Sequence, residues 1–159
     1  MEDTQRQIMY RNSAALFDAM DKNDVKYATV SLDFEGYIKD MRLFLKNETQ
    51  KEVDRSSKDW ETITFQPIHP QARKPGDTTR SVVSEVRWPN VMGYIAEKLL
   101  SEYYFHYKDA PFDPRISCTV TFYPEKNVIK AVPEIYALQP SEGDDIYYMN
   151  VFDEKLESL

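Results

Sequence analysis

The C-terminal part of the chain combines acidic side chains with tyrosines. Glu142, Asp144 and Asp145 come shortly before Tyr147 and Tyr148. From residue 139 to residue 159 six acidic residues are opposed by a single lysine, which gives this stretch a net charge of −5. Carboxylates steer a basic surface into contact, and tyrosine supplies contact area with few rotatable bonds. The pattern predicts a surface that binds a basic protein partner; the alternative is a sheet surface that only aids solubility.

A second group of tyrosines lies within a predicted helix. Tyr103, Tyr104 and Tyr107 occupy neighbouring helical positions and cannot all face one core, so we expect at least one to be exposed. Because tyrosine is enriched at protein interfaces, all three are candidate partner contacts. The alternative is a helix rim decorated with tyrosine.

The only local cluster of basic residues falls in a proline-rich stretch, residues 67–80. Arg73, Lys74 and Arg80 lie there, and His69 precedes them. Proline at this density excludes regular structure, and a loop of this length in a compact domain is either functional or disordered. These four residues could contact a phosphate or an acidic partner. The alternative is a solvated loop.

Motifs for catalysis or for tight cofactor binding are missing from the sequence. No Gly-rich dinucleotide motif, P-loop, HExxH motif or nucleophile elbow is present. Asp33, Glu35 and Asp40 could together bind a hard cation, but carboxylates at a turn are more often turn chemistry. Cys118 falls on the apolar face of a predicted strand, where a thiol is inert. We therefore expect no catalytic residues, no metal and no cofactor, and a protein that is not an enzyme.

Periodicity of apolar residues gives the elements that would position these side chains. It predicts helices over residues 4–22 and 89–107, and strands over residues 26–34, 37–45, 62–66, 115–123, 128–138 and 146–152. Residues 47–59 are almost entirely polar and are predicted to be a solvated helix or a loop. Short turns between strands favour antiparallel pairing. The expected class is α+β, an antiparallel sheet with two main helices packed on one face.

One predicted strand, residues 115–123, shows the alternation most clearly. Ile116, Val120 and Phe122 fall on one face and threonines on the other, which predicts a central core strand. The length of 159 residues fits a single domain spanning residues 1–159. Residues 153–159 are polar, and we expect this tail to fray.

Three segments carry a resemblance to a known group. The stretch VKYATVS at residues 25–31, the pair Leu99 and Leu100, and TVTF at residues 119–122 resemble an uncharacterised family of small bacterial and plasmid-borne α+β proteins. The resemblance covers about half of the chain, and residues 47–80 have no counterpart in it. It implies a bacterial or mobile-element context and no particular activity. In size and charge the chain is also similar to phage anti-defence inhibitors, including anti-CRISPR proteins.

The overall charge narrows the classes of partner. A net charge of −7 argues against direct binding to nucleic acid through its phosphates. No apolar run approaches the length of a membrane span, and the polar residues 1–5 do not resemble a signal peptide. We therefore expect a cytoplasmic protein with no membrane contact.

These features favour an acidic protein-interaction module. We expect its partner to be a basic protein, such as a nuclease or a nucleic-acid-binding complex, and its role to be inhibition of a phage-defence or similar nucleic-acid-handling protein. Carboxylates standing where phosphates would lie would make it a nucleic-acid mimic. The alternatives are a toxin-immunity protein, a structural subunit of a larger assembly, and a small ligand-binding or enzyme domain that uses the loop at residues 67–80 with His69.

Overall fold

The structure, a computed structural model, describes residues 3–68, 83–111, 113–137, 145–146 and 149–150. Its elements are α1 (Asp3–Lys22), β1 (Val25–Leu32), β2 (Ile38–Leu45), β3 (Gln50–Glu52), β4 (Thr62–Phe65), β5 (Ser84–Arg87), α2 (Trp88–His106), β6 (Pro114–Tyr123), β7 (Val128–Ala137), β8 (Asp145–Ile146) and β9 (Met149–Asn150). A short 3-10 turn, Pro124–Lys126, joins β6 to β7. The predicted α+β class is confirmed.

The main sheet is antiparallel and runs in the order β3-β2-β1-β6-β7, with β8 and β9 on the outer edge of β7. Its two central strands, β1 and β6, are far apart in sequence, and Val30 lies opposite Val120. The β1–β2 hairpin turns at Gly36, whose φ of +84° suits glycine. The Asp33 carboxylate accepts hydrogen bonds from the backbone N–H groups of Glu35 and Tyr37. This carboxylate is therefore engaged in turn chemistry.

Both helices pack on one face of the sheet, because the strands alternate apolar and polar side chains. Ile116, Val120 and Phe122 are fully buried, so the predicted core face of β6 is confirmed. Matching positions on β1, β2 and β7 point the same way, and the facing rows of α1 and α2 close the core. Burial of these large side chains is the main favourable term in the stability of the fold.

The opposite face of the sheet is not covered by either helix. Its aromatic side chains pack on one another: Tyr27 stacks on Phe44 with ring centroids 4.2 Å apart and lies 5.9 Å from the Tyr123 ring. Lys126 and Lys130 each place their Nζ atom 5.6 Å from the centre of the Tyr123 ring. Contacts between cross-strand neighbours of this kind stabilise an open sheet face.

A two-stranded antiparallel ribbon, β4–β5, stands apart from the main sheet and packs against the helices. The backbone N–H of Trp88, the first residue of α2, donates to the carbonyl of Glu61, just before β4. The prediction included β4 but missed β5, because Ser84–Arg87 is a short and mostly polar stretch. Its strand conformation comes from pairing with β4 rather than from its own composition.

One further prediction needs correction. Residues 47–59, predicted as a solvated helix or a loop, contain the short strand β3, which pairs with β2 along the edge of the sheet. Of the predicted last strand, residues 146–152, the described Ile146, Met149 and Asn150 lie in β8 and β9, which pair with β7 in one common register. Pro133 falls in the part of β7 between these two pairings and has no N–H to donate.

The predicted proline-rich loop and frayed tail fall largely outside the described residues. Of residues 67–80, only Pro67 and Ile68 are described, and the tail at 153–159 lies entirely outside. The single domain over residues 1–159 stays a prediction.

Candidate functional site

A groove with a cavity volume of about 880 Å³ opens between α1, α2 and the β4–β5 ribbon. We call it the helix groove. Its described lining residues are Gln5, Met9, Asn12, Phe65, Pro67, Ile68, Ser84, Val86, Tyr94, Ile95, Glu97, Lys98, Ser101, Glu102 and Phe105. Most of the floor is apolar, and polar groups converge on it from α2. This combination is typical of binding sites.

Two aromatic side chains of α2 mark the ends of the helix groove. Tyr94 is 48% exposed and Phe105 is 56% exposed, although both are large and apolar. Tyr94 stacks on Phe65 of β4, with ring centroids 5.2 Å apart, so its position is fixed by the ribbon. Lys108 places its Nζ atom 4.0 Å from the centre of the Phe105 ring. Exposed aromatic residues in a concave apolar surface favour contact with another molecule.

The charged groups of the helix groove lie between these aromatic ends. Lys98 Nζ and Glu102 Oε1 are 3.1 Å apart, and both side chains are more than four-fifths buried. Glu97 is exposed and forms no hydrogen bond or ion pair with the described part of the chain. The described lining of the groove therefore holds one internally paired cation and one carboxylate that is free to meet a positive group.

The wall formed by the end of β4 is attached to α1 through a buried amide. Asn12 Nδ2 donates to the carbonyl of Gln66 at 2.9 Å, and the backbone N–H of Gln66 donates to Asn12 Oδ1 at 3.0 Å. Arg11 adds a hydrogen bond to the Gln66 side chain. Because this reciprocal pair satisfies both backbone groups of Gln66, it holds the adjoining Pro67 and Ile68 against the groove.

The predicted tyrosine contacts at the end of α2 take structural roles. Tyr103 is only 5% exposed, and its hydroxyl donates to the carbonyl of Ala131. Burial raises its pKa. The Tyr104 hydroxyl accepts from the Ile116 N–H at 3.0 Å and lies 3.2 Å from the carbonyl oxygens of Ile116 and Phe34.

Tyr107 is half-buried and packs against the core. None of Tyr103, Tyr104 and Tyr107 is exposed, so the expectation that at least one would be is wrong. The side chains next to them, Phe105 and His106, take the exposed positions instead.

The other predicted contacts lie outside the described residues. This holds for Glu142, Asp144, Tyr147 and Tyr148, and for His69, Arg73, Lys74 and Arg80 of the basic stretch. Asp145 begins β8, opposite Ile135, and only its backbone is described. The predicted acidic surface therefore stays a prediction.

The described ranges contain neither a candidate metal cluster nor an accessible thiol. No cluster of three or more His, Cys, Asp or Glu side chains in these ranges could hold a metal ion. Cys118 is buried, and burial raises the pKa of its thiol to about 12. A thiol with so high a pKa is a poor nucleophile near neutral pH.

Comparisons with known proteins returned no match: no family model, no curated protein and no solved structure is similar to this chain. Among the helices of the described ranges, none is long and apolar enough to cross a membrane. The helix groove is therefore the candidate functional site of this protein.

Sequence analysis missed the helix groove, although a signal was present. The predicted apolar face of α2 runs through Ile95 and Leu99 toward the sheet, and Tyr94 and Phe105 fall outside it. Two aromatic residues off the core face and eleven positions apart share a second face of the helix. That second apolar face would have indicated a binding surface.

Proposed function

We propose that this protein is a non-enzymatic binding module and that it engages a basic protein partner through the helix groove. The observation that carries the proposal is the pair of exposed aromatic side chains, Tyr94 and Phe105, at the two ends of an apolar groove. Large aromatic side chains that lie in a concave surface supply most of the binding energy in many interfaces.

Electrostatics support a positively charged partner. Glu97 lies on the rim without a partner among the described residues, and Lys98 is already paired with Glu102. The whole chain carries a net charge of −7. Complementary charge speeds the encounter of two proteins and selects against wrong partners.

The net negative charge of the chain favours a partner with a basic surface. A nuclease or a nucleic-acid-binding complex offers a basic surface, and a protein that occupies that surface inhibits it. We propose such a role, in the cytoplasm, against a defence protein of a bacterial host, with mimicry of nucleic acid by the acidic residues 142–145 as its mechanism. A toxin-immunity role uses the same chemistry against a toxic nuclease.

A second candidate function is binding of a small molecule. The cavity volume of about 880 Å³ lies in the range of small-molecule sites, roughly 300–1,000 Å³. An apolar ligand with one polar group would contact Tyr94 and Phe105 and meet the charged side chains of α2.

The two functions can be separated with one double variant and its control. Tyr94→Ser with Phe105→Ser removes both aromatic ends, while Tyr37→Ser removes a tyrosine that is 67% exposed at the β1–β2 turn, away from the groove. Each tagged protein is expressed in the host cell and purified, its folding is checked by circular dichroism, and co-purifying proteins are quantified by mass spectrometry.

A basic protein retained by wild type and Tyr37→Ser, but lost from the double variant, supports the proposal. Native mass spectrometry of the purified protein tests the second candidate. A bound metabolite that is absent from the double variant, together with no dependent protein partner, would overturn the interaction module in favour of ligand binding.

A further inference from the structure

The shape of the helix groove selects among possible occupants. On α2, Tyr94, Lys98 and Phe105 lie on one face and span about 16 Å at the helical rise of about 1.5 Å per residue. On α1, Gln5, Met9 and Asn12 line the floor of the groove, and all three are buried. The row along α2, which is exposed at both ends, is the kind of surface against which the ridges of another helix pack.

The ribbon side of the groove argues against an extended peptide. Phe65 pairs with Ser84 across the ribbon, so both side chains lie on one face, and Val86 shares that face with Ser84. The ribbon therefore presents side chains to the groove, and its backbone hydrogen-bonding groups do not point there. An extended peptide would leave its own backbone groups unpaired over this apolar surface, whereas a helix pairs them internally.

The charges of the groove add a requirement on the occupant. Glu97 is exposed on the rim and has no partner in the described ranges, and Lys98 is held by Glu102. A Lys or Arg side chain on the occupant would meet the free carboxylate in a charge-assisted hydrogen bond. Among the described lining residues, an acidic occupant would find no unpaired cation.

We propose that the helix groove binds an amphipathic helix of the partner protein, with its apolar face against α2 and the ribbon and a basic side chain against Glu97. This inference rests on the proposed function and specifies the part of the partner that is recognised. The bound helix would lie along the exposed face of α2. It would cover Tyr94 and Phe105, which the protein leaves exposed.

Two synthetic peptides test the proposal in solution. Both are amphipathic helices of about 15 residues, long enough to cover the groove at about 1.5 Å per residue, with leucine on one face. One carries lysine on the polar face and the other carries glutamate. Each is titrated into isotope-labelled protein, and amide NMR shifts and fluorescence anisotropy give the site and the affinity. The Leu/Lys peptide should shift the signals of α1, α2 and the ribbon and bind at least about tenfold more tightly than the Leu/Glu peptide.

Variants separate recognition in the groove from general attraction to an acidic protein. Glu97→Gln should lower the affinity for the Leu/Lys peptide by about twofold to fivefold, which is the contribution of an exposed ion pair. Glu52→Gln, which removes an exposed acid on β3, should leave the affinity unchanged. Tyr94→Ser with Phe105→Ser should weaken binding by more than about tenfold.

Three results would overturn the proposal. Shifts outside the groove, or equal effects of Glu97→Gln and Glu52→Gln, would show general electrostatic binding. Binding that occurs only after residues 69–82 are replaced by a Gly-Ser linker would make this chain's own segment the occupant. No binding of either peptide, with a partner that still depends on Tyr94 and Phe105 in host cells, would reject the helical occupant and leave the proposed function standing.

Discussion

Replacing Asn12 with alanine should detach one wall of the helix groove. The Asn12 side chain is buried, and its amide both donates to and accepts from the backbone of Gln66, at 2.9 and 3.0 Å. Asn12→Ala removes both hydrogen bonds and leaves a partly buried N–H and C=O without partners. A typical hydrogen bond contributes about 0.5–1.5 kcal/mol net, and an unsatisfied buried group costs about 1–3 kcal/mol. We expect the free energy of unfolding to fall by about 2–3 kcal/mol.

The neighbouring Ser13 provides a matched control. It lies on the same helix and is equally buried, but its hydroxyl has no hydrogen-bond partner within the described residues. Ser13→Ala therefore removes a buried hydroxyl without breaking a hydrogen bond. The free energy of unfolding should change little or rise. Urea unfolding followed by circular dichroism measures both variants. For a chain of this size Asn12→Ala should also lower the melting temperature by about 4–10 °C.

A conservative substitution distinguishes the hydrogen bonds from the loss of volume. Asn12→Asp keeps the shape and the acceptor for the Gln66 N–H but replaces the donor with a carboxylate that faces the Gln66 carbonyl. Protonation restores a donor, so the gap in stability to wild type should narrow as the pH falls toward about 4. A loss below about 0.5 kcal/mol for Asn12→Ala, or an equal loss for Ser13→Ala, would refute the reasoning.

Three further predictions concern the sheet and the end of α2. Phe122→Ala should lower the free energy of unfolding by about 3–5 kcal/mol in urea, because its side chain is fully buried on the central strand; a loss below about 1 kcal/mol would contradict that placement. Tyr104→Phe should cost about 1–2 kcal/mol in the same assay, because the Ile116 N–H loses its acceptor; an unchanged midpoint would show that water replaces the hydroxyl. Cys118 should resist a thiol-specific reagent at pH 8 and react fully in denaturant, because burial raises its pKa to about 12; rapid labelling of the folded protein would show that the strand opens.

The helix that forms one wall of the candidate site could be predicted from the sequence, but the groove itself could not. The helix that carries Tyr94 and Phe105 was predicted within one residue of its observed start, Trp88. The exposure of these two side chains in a groove was not predicted, because it depends on where α1 and the ribbon pack. Conversely, Tyr103 belongs to a residue type that is common at interfaces, but it is buried against β7. Its hydroxyl donates a hydrogen bond to the carbonyl of Ala131 there.

Apolar periodicity is enough to predict the elements whose side-chain period is a property of one segment. The alternation of Ile116, Val120 and Phe122 with threonines reflects the two-residue pleat of a strand, and the spacing of Ile8, Leu16 and Met20 reflects the turn of a helix. Backbone geometry sets both periods, so they can be read without knowing the neighbours.

Which segments meet depends on contacts between distant parts of the chain. The pairing of Val30 with Val120 joins strands that are far apart in the chain, and β5 is a strand because β4 lies beside it. The contact between Asn12 and Gln66 crosses a separation of 54 residues and fixes one wall of the helix groove. Such contacts form where the entropic cost of closing a long loop is offset by the burial of apolar side chains and by the pairing of backbone hydrogen-bonding groups. This balance of free energies depends on the whole chain, so it cannot be predicted from a local sequence pattern.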